Sequence, residues 1–358
     1  MKKVSVIMPM YNVEKFVASS IESVLNQTYP NFELIIIDDK STDNSYKIAS
    51  EYAAKYPNIK LIINDKNSLV GYSRNIGLLY AEGEYISFID ADDMYHREYL
   101  ERLVNALEEN NVDIAMCNHH QFVGHIGNYR ENLTSEVSVI DVVEETKFLN
   151  KARGYCWNKV YRREIFDKLR FQVGITFEDI PFTYPALILA QKIAFVEAEL
   201  YHYRRNINGI TFTNKRIPQR GVLDLYSSAV ELDKNYQLVK RDDKLDEFMR
   251  ELEHSVLYIS ALDASCWVRI PHKDYKRIVN LFAFLANRKY GLTLEDNSYM
   301  KLEKGNRVLY FLRLLFLELV LDKNFYTDKT DEEILEEISL IIDRYLGNIT
   351  EKEKTKKK

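Results

Sequence analysis

Over the first 120 residues, apolar runs of strand length alternate with segments whose apolar side chains recur at helical spacing. Residues 4–8, 34–37, 59–63 and 85–89 read as strands, and 14–27, 44–56, 73–81 and 97–109 as helices. The first helix carries Phe16, Val17, Ile21, Val24 and Leu25 on one stripe, and Ser41-Thr42-Asp43 form an N-cap cluster before the second. Strands and helices alternating at this length imply right-handed crossovers and a mostly parallel α/β sheet covered on both faces. Such sheets bind ligands beyond the carboxyl ends of their strands. Pro9-Met10-Tyr11-Asn12, Asp38-Asp39 and Asp90-Ala91-Asp92-Asp93 all fall at those ends, so the polar residues converge on one edge.

The last of these stretches is chemically the most pointed. Residues 87–93, Ser-Phe-Ile-Asp-Ala-Asp-Asp, run an apolar strand directly into three carboxylates. Carboxylates packed together repel one another and resist desolvation. A divalent cation removes the conflict: Asp90 and Asp92, one residue apart, can both turn toward one hard metal ion and the phosphate oxygens it carries. A solvated acidic turn is the alternative reading of these residues taken alone.

Composition narrows the function classes. The 358 residues are 46% hydrophobic with 25 Tyr and 17 Phe, enough for a large core and a second, smaller domain. A formal charge of -5 offers no basic face for nucleic acid. Cys117, Cys156 and Cys266 are odd in number and far apart, which reads as reduced thiols and neither a disulfide framework nor a zinc site. No signal peptide is evident, and no uncharged apolar run reaches the roughly 18 residues of a membrane span. The expectation is a cytoplasmic chain, soluble or peripheral at the inner face of the membrane.

Beyond residue 121 the pattern loosens, with a further strand at 192–196, and after about 220 it becomes helical. Segments 222–239, 244–262, 274–289, 307–321 and 331–346 read as helices, giving a first domain over 1–218, a helical domain over 219–348 and a disordered tail over 349–358. Residues 308–321 are apolar on nearly all sides, which suits a buried helix, a homodimer contact through the C-terminal helices, or a membrane-surface helix.

Four stretches taken together are specific. Val-Ser-Val-Ile-Met-Pro-Met-Tyr-Asn (4–12), Glu-Leu-Ile-Ile-Ile-Asp-Asp-Lys-Ser-Thr-Asp (33–43), Ser-Arg-Asn-Ile-Gly (73–77) and Gly-Glu-Tyr-Ile-Ser-Phe-Ile-Asp-Ala-Asp-Asp (83–93) closely resemble glycosyltransferase family 2 in order and spacing. The resemblance is dense over 3–118 and thinner to about 212. It implies the GT-A fold, a Rossmann-like sheet flanked by helices. Lys40 stands where the family usually has Gly, and Tyr72-Ser73 precede Arg-Asn where a small residue is common.

The resemblance also implies roles. Pro9 would hold a backbone platform for a flat base, and Tyr11 would stack on the base or contact ribose, unless it is a buried loop aromatic. Asp39 would accept from the uracil N3–H. Arg74 would meet a base carbonyl or phosphate, or pair with Asp38 or Asp39. Asn67 would line the nucleotide pocket or serve its turn. Asp90 would contact ribose or metal, and Asp92 would bind Mn2+ or Mg2+ directly. Asp179 of Phe177-Glu178-Asp179-Ile180 would be the general base, with Glu178 raising its proton affinity or binding acceptor. Trp157 would stack on an acceptor sugar or pack in the core. His202 would be a metal ligand or a surface or core residue, and Arg204 a diphosphate partner.

The implied function is an inverting, non-processive transfer of a hexosyl or N-acetylhexosaminyl group from a UDP-sugar to a glycan or lipid-linked acceptor. The setting would be capsule, lipooligosaccharide or wall-polymer assembly. No Gln-x-x-Arg-Trp sequence, expected of polymer-extruding relatives, is present. A nucleotidyltransferase would need a Gly-rich basic loop after the first strand, which residues 9–13 do not offer. A non-catalytic nucleotide-sugar-binding scaffold acting through the C-terminal helices would leave the intact carboxylate set without a purpose.

Overall fold

A computed structural model describes residues 1–124, 132–206, 218–240, 243–263, 272–291, 322 and 324–341. The expected helix at 307–321, the last residues of the one at 331–346 and the tail at 349–358 lie outside the described residues. The chain divides into two compact units, Met1–Gly209 with Lys234–Asp242, and Ile210–Asp233 with Asp243–Lys358.

The first unit is a mixed α/β fold on a nine-stranded sheet of order β3-β2-β1-β4-β8-β6-β9-β5, with β7 beside β9. Strands β1 (Val4–Met10), β2 (Phe32–Asp38), β3 (Ile59–Ile63) and β4 (Tyr85–Phe88) are parallel neighbours. Helices α1 (Val17–Leu25), α2 (Ser45–Lys55) and α3 (Leu69–Tyr80) connect them. All seven residues of β1 are buried, as befits a strand covered on both faces. The chain runs outward from β1 to β2 and β3, then returns through α3 to place β4 on the other side of β1. The carboxyl ends of β1 and β4 therefore form the point where strand order reverses.

Beyond β4 the pairing changes sense. Next come the two-residue β5 (Met94–Tyr95), α4 (Tyr99–Glu109), β6 (Ile114–Phe122), β7 (Val137–Asp141), the short α5 (Lys147–Ala152), β8 (Lys159–Arg162), the one-turn α6 (Ile165–Lys168), α7 (Ile180–Ala190) and β9 (Lys192–Arg204). β8 runs antiparallel between β4 and β6, and β6 is parallel to β9. The strand expected at 192–196 is 13 residues long and shared among β6, β7 and β5. Its neighbours fall far apart in sequence, which local periodicity does not register.

β1 also continues through Pro9 to Met10, two residues past the end expected at Met8. Pairing with β4 ends at Ile7 and Phe88, while pairing with β2 continues through Pro9–Ile37 to Met10–Asp38. The ring thus faces the side that β4 has already left, where no strand needs its missing N–H.

The second unit is helical: most of α8 (Pro218–Val239), α9 (Asp246–Asp263), α10 (His272–Tyr290) and a helix over 331–341, α11. Leu252, Ile278, Phe282, Ile334 and Ile338 are buried there, and Arg277 of α10 makes a bidentate pair with Glu337 of α11 at 2.7 and 3.2 Å. No helix among the described residues is long and apolar enough to cross a membrane.

Candidate active site

The carboxyl ends of β1 and β2 are laced together by short polar side chains. Asn12 N donates to Ser41 Oγ (3.1 Å), Val13 N to Ser45 Oγ (2.8 Å) and Thr42 N to Asn12 Oδ1 (2.8 Å). Asp43 accepts from Ser45 N at 2.9 Å and Glu14 N at 3.1 Å. The Ser-Thr-Asp cluster therefore braces the loop after β1, while the N-cap of α2 falls on the next residue, Asn44, whose side chain makes no capping bond. Asn12 (φ 52°) and Lys40 (φ 66°) are both left-handed here. The turn after Asp39 thus keeps a glycine-like conformation although the residue is lysine.

Asp39 is 4% exposed and accepts three bonds: from Asn64 Nδ2 (2.7 Å), Ser68 N (2.9 Å) and Leu69 N (2.9 Å). A carboxylate offers about four lone-pair directions, so this set leaves room for one further donor. Asp38 is fully buried and receives Ser41 N, and burial raises its pKa. Tyr11 is 45% exposed, and Asn67 is exposed on the 64–68 loop, whereas Pro9 is buried.

At the end of β4, the three acids have separate environments. Asp93 is buried and accepts from Tyr201 Oη at 2.6 Å and Arg204 N at 2.7 Å, which anchors it to β9. Asp92 accepts from Asn206 Nδ2 at 2.9 Å through Oδ2, and its pKa is raised, chiefly by burial. Asp90, with a side chain 31% exposed, accepts from Arg74 Nη2 at 3.0 Å through Oδ1. One oxygen each of Asp90 and Asp92 is left for a hard cation. Among the described residues, no three His, Cys, Asp or Glu side chains form a metal-holding group. Two carboxylates fit an ion that is completed by diphosphate oxygens and water, the usual arrangement for Mg2+.

His202 does not complete a three-ligand group with those acids. It is 2% exposed on β9, its ring 6.2 Å from that of His96 and 6.5 Å from that of His120. Burial, followed by the charges of His96 and His120, lowers its pKa to about 4, so it is neutral at pH 7. Arg204 lies behind the acid turn. Its Nε donates to the Asp92 carbonyl at 2.7 Å, its Nη1 to the Gly124 carbonyl, and the guanidinium sits over the Phe16 and Phe122 rings. Its donors hold the backbone that presents Asp92.

Arg74 joins the two acid groups. It is 3% exposed, donates to Asp90 and through Nη1 to Glu178, and stacks over Phe171 at 5.2 Å. It pairs with neither Asp38 nor Asp39. Glu178 is 4% exposed, and its pKa is raised by burial despite Arg74. Asp179 is partly buried at the N-cap of α7 and accepts from Ile180 N at 3.0 Å. Burial, then the neighbouring Glu178 charge, pushes Asp179 up to about 7. Phe177 ahead of the pair has φ 66°, the sparsely populated left-handed region often found at functional turns.

Trp157 is 4% exposed, stacked between Tyr155 (4.7 Å) and Tyr201 (4.2 Å), with His119 edge-on at 5.1 Å. The indole is occupied by core packing in this conformation and presents no open face to a sugar. Its neighbour Lys159 was not singled out by sequence reasoning, yet it is fully buried. Its ammonium donates to the Ala152 and Tyr155 carbonyls and to Asn158 Oδ1, and burial lowers its pKa to about 8. Nothing in its sequence context distinguishes it from a surface lysine. Asn64 was likewise missed, and a loop asparagine carries no local sign that it supports an acid 25 residues earlier.

The model described as Glycosyl transferase family 2 matches residues 5–170. The Bacillus subtilis (strain 168) protein EpsH, which bears the name of a glycosyltransferase, is 31% identical over 268 residues, 72% of this chain and 75% of EpsH. GgaB of the same organism, named as a minor teichoic acid biosynthesis protein, is 30% identical over 243 residues, 65% of this chain but 27% of that longer protein. The crystal structure of S. aureus TarS 1–349 in complex with UDP-GlcNAc aligns with a TM-score of 0.56 and 21% identity, covering 86% of this chain and 92% of that one. The shared architecture is the GT-A fold.

Proposed function

Because the chain belongs to glycosyltransferase family 2, we propose that it is an inverting, non-processive enzyme moving one sugar from a UDP-sugar to an acceptor hydroxyl in bacterial surface glycan assembly. One observation carries the reading. Arg74 bridges Asp90 at the end of β4 to Glu178 beside Asp179, so a donor-side acid and a candidate base are tied to one buried cation.

In this reading Asp39 receives the uracil N3–H through its remaining acceptor direction, Tyr11 and Asn67 flank the nucleotide, and Asp90 and Asp92 face the diphosphate. A divalent ion held by Asp90 and Asp92 would neutralise charge on the departing UDP. Asp179, with a pKa near the working pH, takes the acceptor proton as the new C1–O bond forms and the C1–O bond to UDP breaks. Attack from the face opposite UDP inverts the anomeric carbon through an oxocarbenium-like transition state. Glu178, held by Arg74, keeps negative charge beside Asp179 and so keeps its proton affinity high. The TarS complex with UDP-GlcNAc supports a UDP-linked sugar as donor, and GgaB supports a surface-polymer setting.

The test is a screen of UDP-sugars for hydrolysis with Mn2+ or Mg2+, comparing wild type with Asp92→Ala and Asp179→Ala. Slow hydrolysis that disappears in Asp92→Ala supports the donor assignment. Normal turnover in Asp179→Ala assigns the base elsewhere, and no uptake of any UDP-sugar by wild type refutes the reading.

A further inference from the structure

Three residues on one face of α3, at positions 71, 74 and 75, grip the segment that leads to Glu178 and Asp179. The side-chain amide of Asn75 makes both bonds a neighbouring strand would make to Phe171: Nδ2 donates to the Phe171 carbonyl at 2.8 Å, and Oδ1 accepts from the Phe171 N–H at 3.1 Å. Arg74 lies over the Phe171 ring, which also stacks on Phe182 of α7 at 4.2 Å and meets Phe88 of β4 edge-on at 5.1 Å. At Gly71, a Cβ would fall 2.2 Å from the Gln172 carbonyl oxygen and 3.0 Å from Glu178 Cγ. Only glycine lets α3 and this segment approach so closely. On its other flank α3 reaches the donor side, where Ser73 Oγ accepts from Asn64, the residue that also donates to Asp39.

We propose that Asn75, with the space left by Gly71, is a positioning residue that sets the 171–179 segment against α3 and thereby delivers Asp179 to the acceptor hydroxyl. Residue 171 carries no catalytic group, but eight residues on the chain presents Glu178-Asp179, and Asn75 fixes its backbone at the start of that path. An error of about 1 Å in such a group costs on the order of 10²-fold in rate. The inference rests on the proposed glycosyl transfer.

The experiment compares wild type, Asn75→Ala and Asn75→Asp by three measurements: calorimetric uptake of UDP with Mn2+, steady-state hydrolysis of UDP-GlcNAc and other UDP-sugars, and amide hydrogen exchange of the folded apoprotein. In Asn75→Ala, UDP affinity and donor KM should stay within about twofold while kcat falls about 10- to 100-fold. Exchange should accelerate across 171–179 and nowhere else. Asn75→Asp retains the acceptor for the Phe171 N–H but turns a second acceptor on the Phe171 carbonyl, so kcat should fall below wild type while the Phe171 N–H stays protected. It carries the test if Asn75→Ala does not fold. Wild-type kcat in Asn75→Ala, unchanged exchange at Phe171, or a parallel loss of UDP affinity overturns the positioning role. If wild type itself takes up no UDP and hydrolyses no donor, glycosyl transfer fails and the positioning role falls with it, while exchange at Phe171 still reports whether the contact holds the segment.

Discussion

The two ends of the parallel strands treat buried acids in opposite ways. At the amino end, Glu33 of β2 is 2% exposed and charge-paired: Lys60 lies at 2.9 Å and Lys3 at 3.5 Å from Oε2, while Ser5 Oγ and Glu82 N donate to Oε1 at 2.7 and 2.9 Å. Burial alone would raise its pKa, but these partners outweigh it and hold the carboxyl below its ordinary value. At the carboxyl end, Asp92, Glu178 and Asp179 are all pushed up, burial being the largest cause in each, with Arg74 the cation touching both acid groups. A buried acid that serves only the fold is neutralised. Acids kept under-neutralised together at the strand-order switch are the mark of a site that awaits a cation or a proton.

The sharpest way to break this comparison is to neutralise one residue at each end. Asp179→Asn keeps an N-cap for α7 and should lower UDP-sugar turnover by about 10²–10⁴-fold with UDP affinity retained. Glu33→Gln should leave kcat within about twofold. Steady-state UDP release reads both, and equal losses would erase the distinction between the two ends. Next, Asp92→Asn should abolish the Mn2+ dependence of UDP uptake in calorimetry, because one of the two carboxylates available to the ion is gone.

Stability should respond in the reverse order. Glu33→Gln removes the buried partner of Lys60 and Lys3, which are 36% and 31% exposed and both keep Glu82. The expected loss is about 1–2 kcal/mol in urea unfolding, below the cost of breaking a wholly buried pair. The pH dependence should have opposite signs at the two ends. Glu33, depressed in the fold, contributes stability above its ordinary value of 4.5, and that is lost as pH falls through its folded value. Asp179, raised to about 7, favours the fold while protonated, and this contribution is lost as pH rises through about 7. If Asp179 is the base as proposed, turnover should climb over that same interval, because a general base works only when deprotonated. Urea midpoints of wild type, Glu33→Gln and Asp179→Asn across pH separate the two slopes. Smallest of all, Lys40→Gly should stabilise the protein by about 0.5–1 kcal/mol, since Lys40 holds φ 66° at the site end of β2.

What could be read directly depended on how local its physics is. Strands β1 to β4 and helices α1 to α4 were visible because apolar spacing reflects the faces an element buries, and the acids at 38–39 and 90–93 stood out because they terminate buried strands. β8 escaped notice: Lys159–Arg162 is four residues long, and it matters because β4 and β6 happen to flank it. Asp93 closes the acid run in sequence, but its carboxyl is taken by Tyr201 and Arg204, more than 100 residues away.

From residue order alone came the α/β alternation, the edge on which polar groups gather, the family and the helical character of the C-terminal region. All of these follow from patterns repeated within a few residues of one another. Tertiary structure alone decided which charge meets which. Arg74 is committed to Asp90 and Glu178, Arg204 to the carbonyls behind Asp92, Trp157 to an aromatic stack, and Asn75 to a backbone 96 residues away. A side chain's type says what it can bind, but its partner is set by chain segments that only the completed sheet brings together.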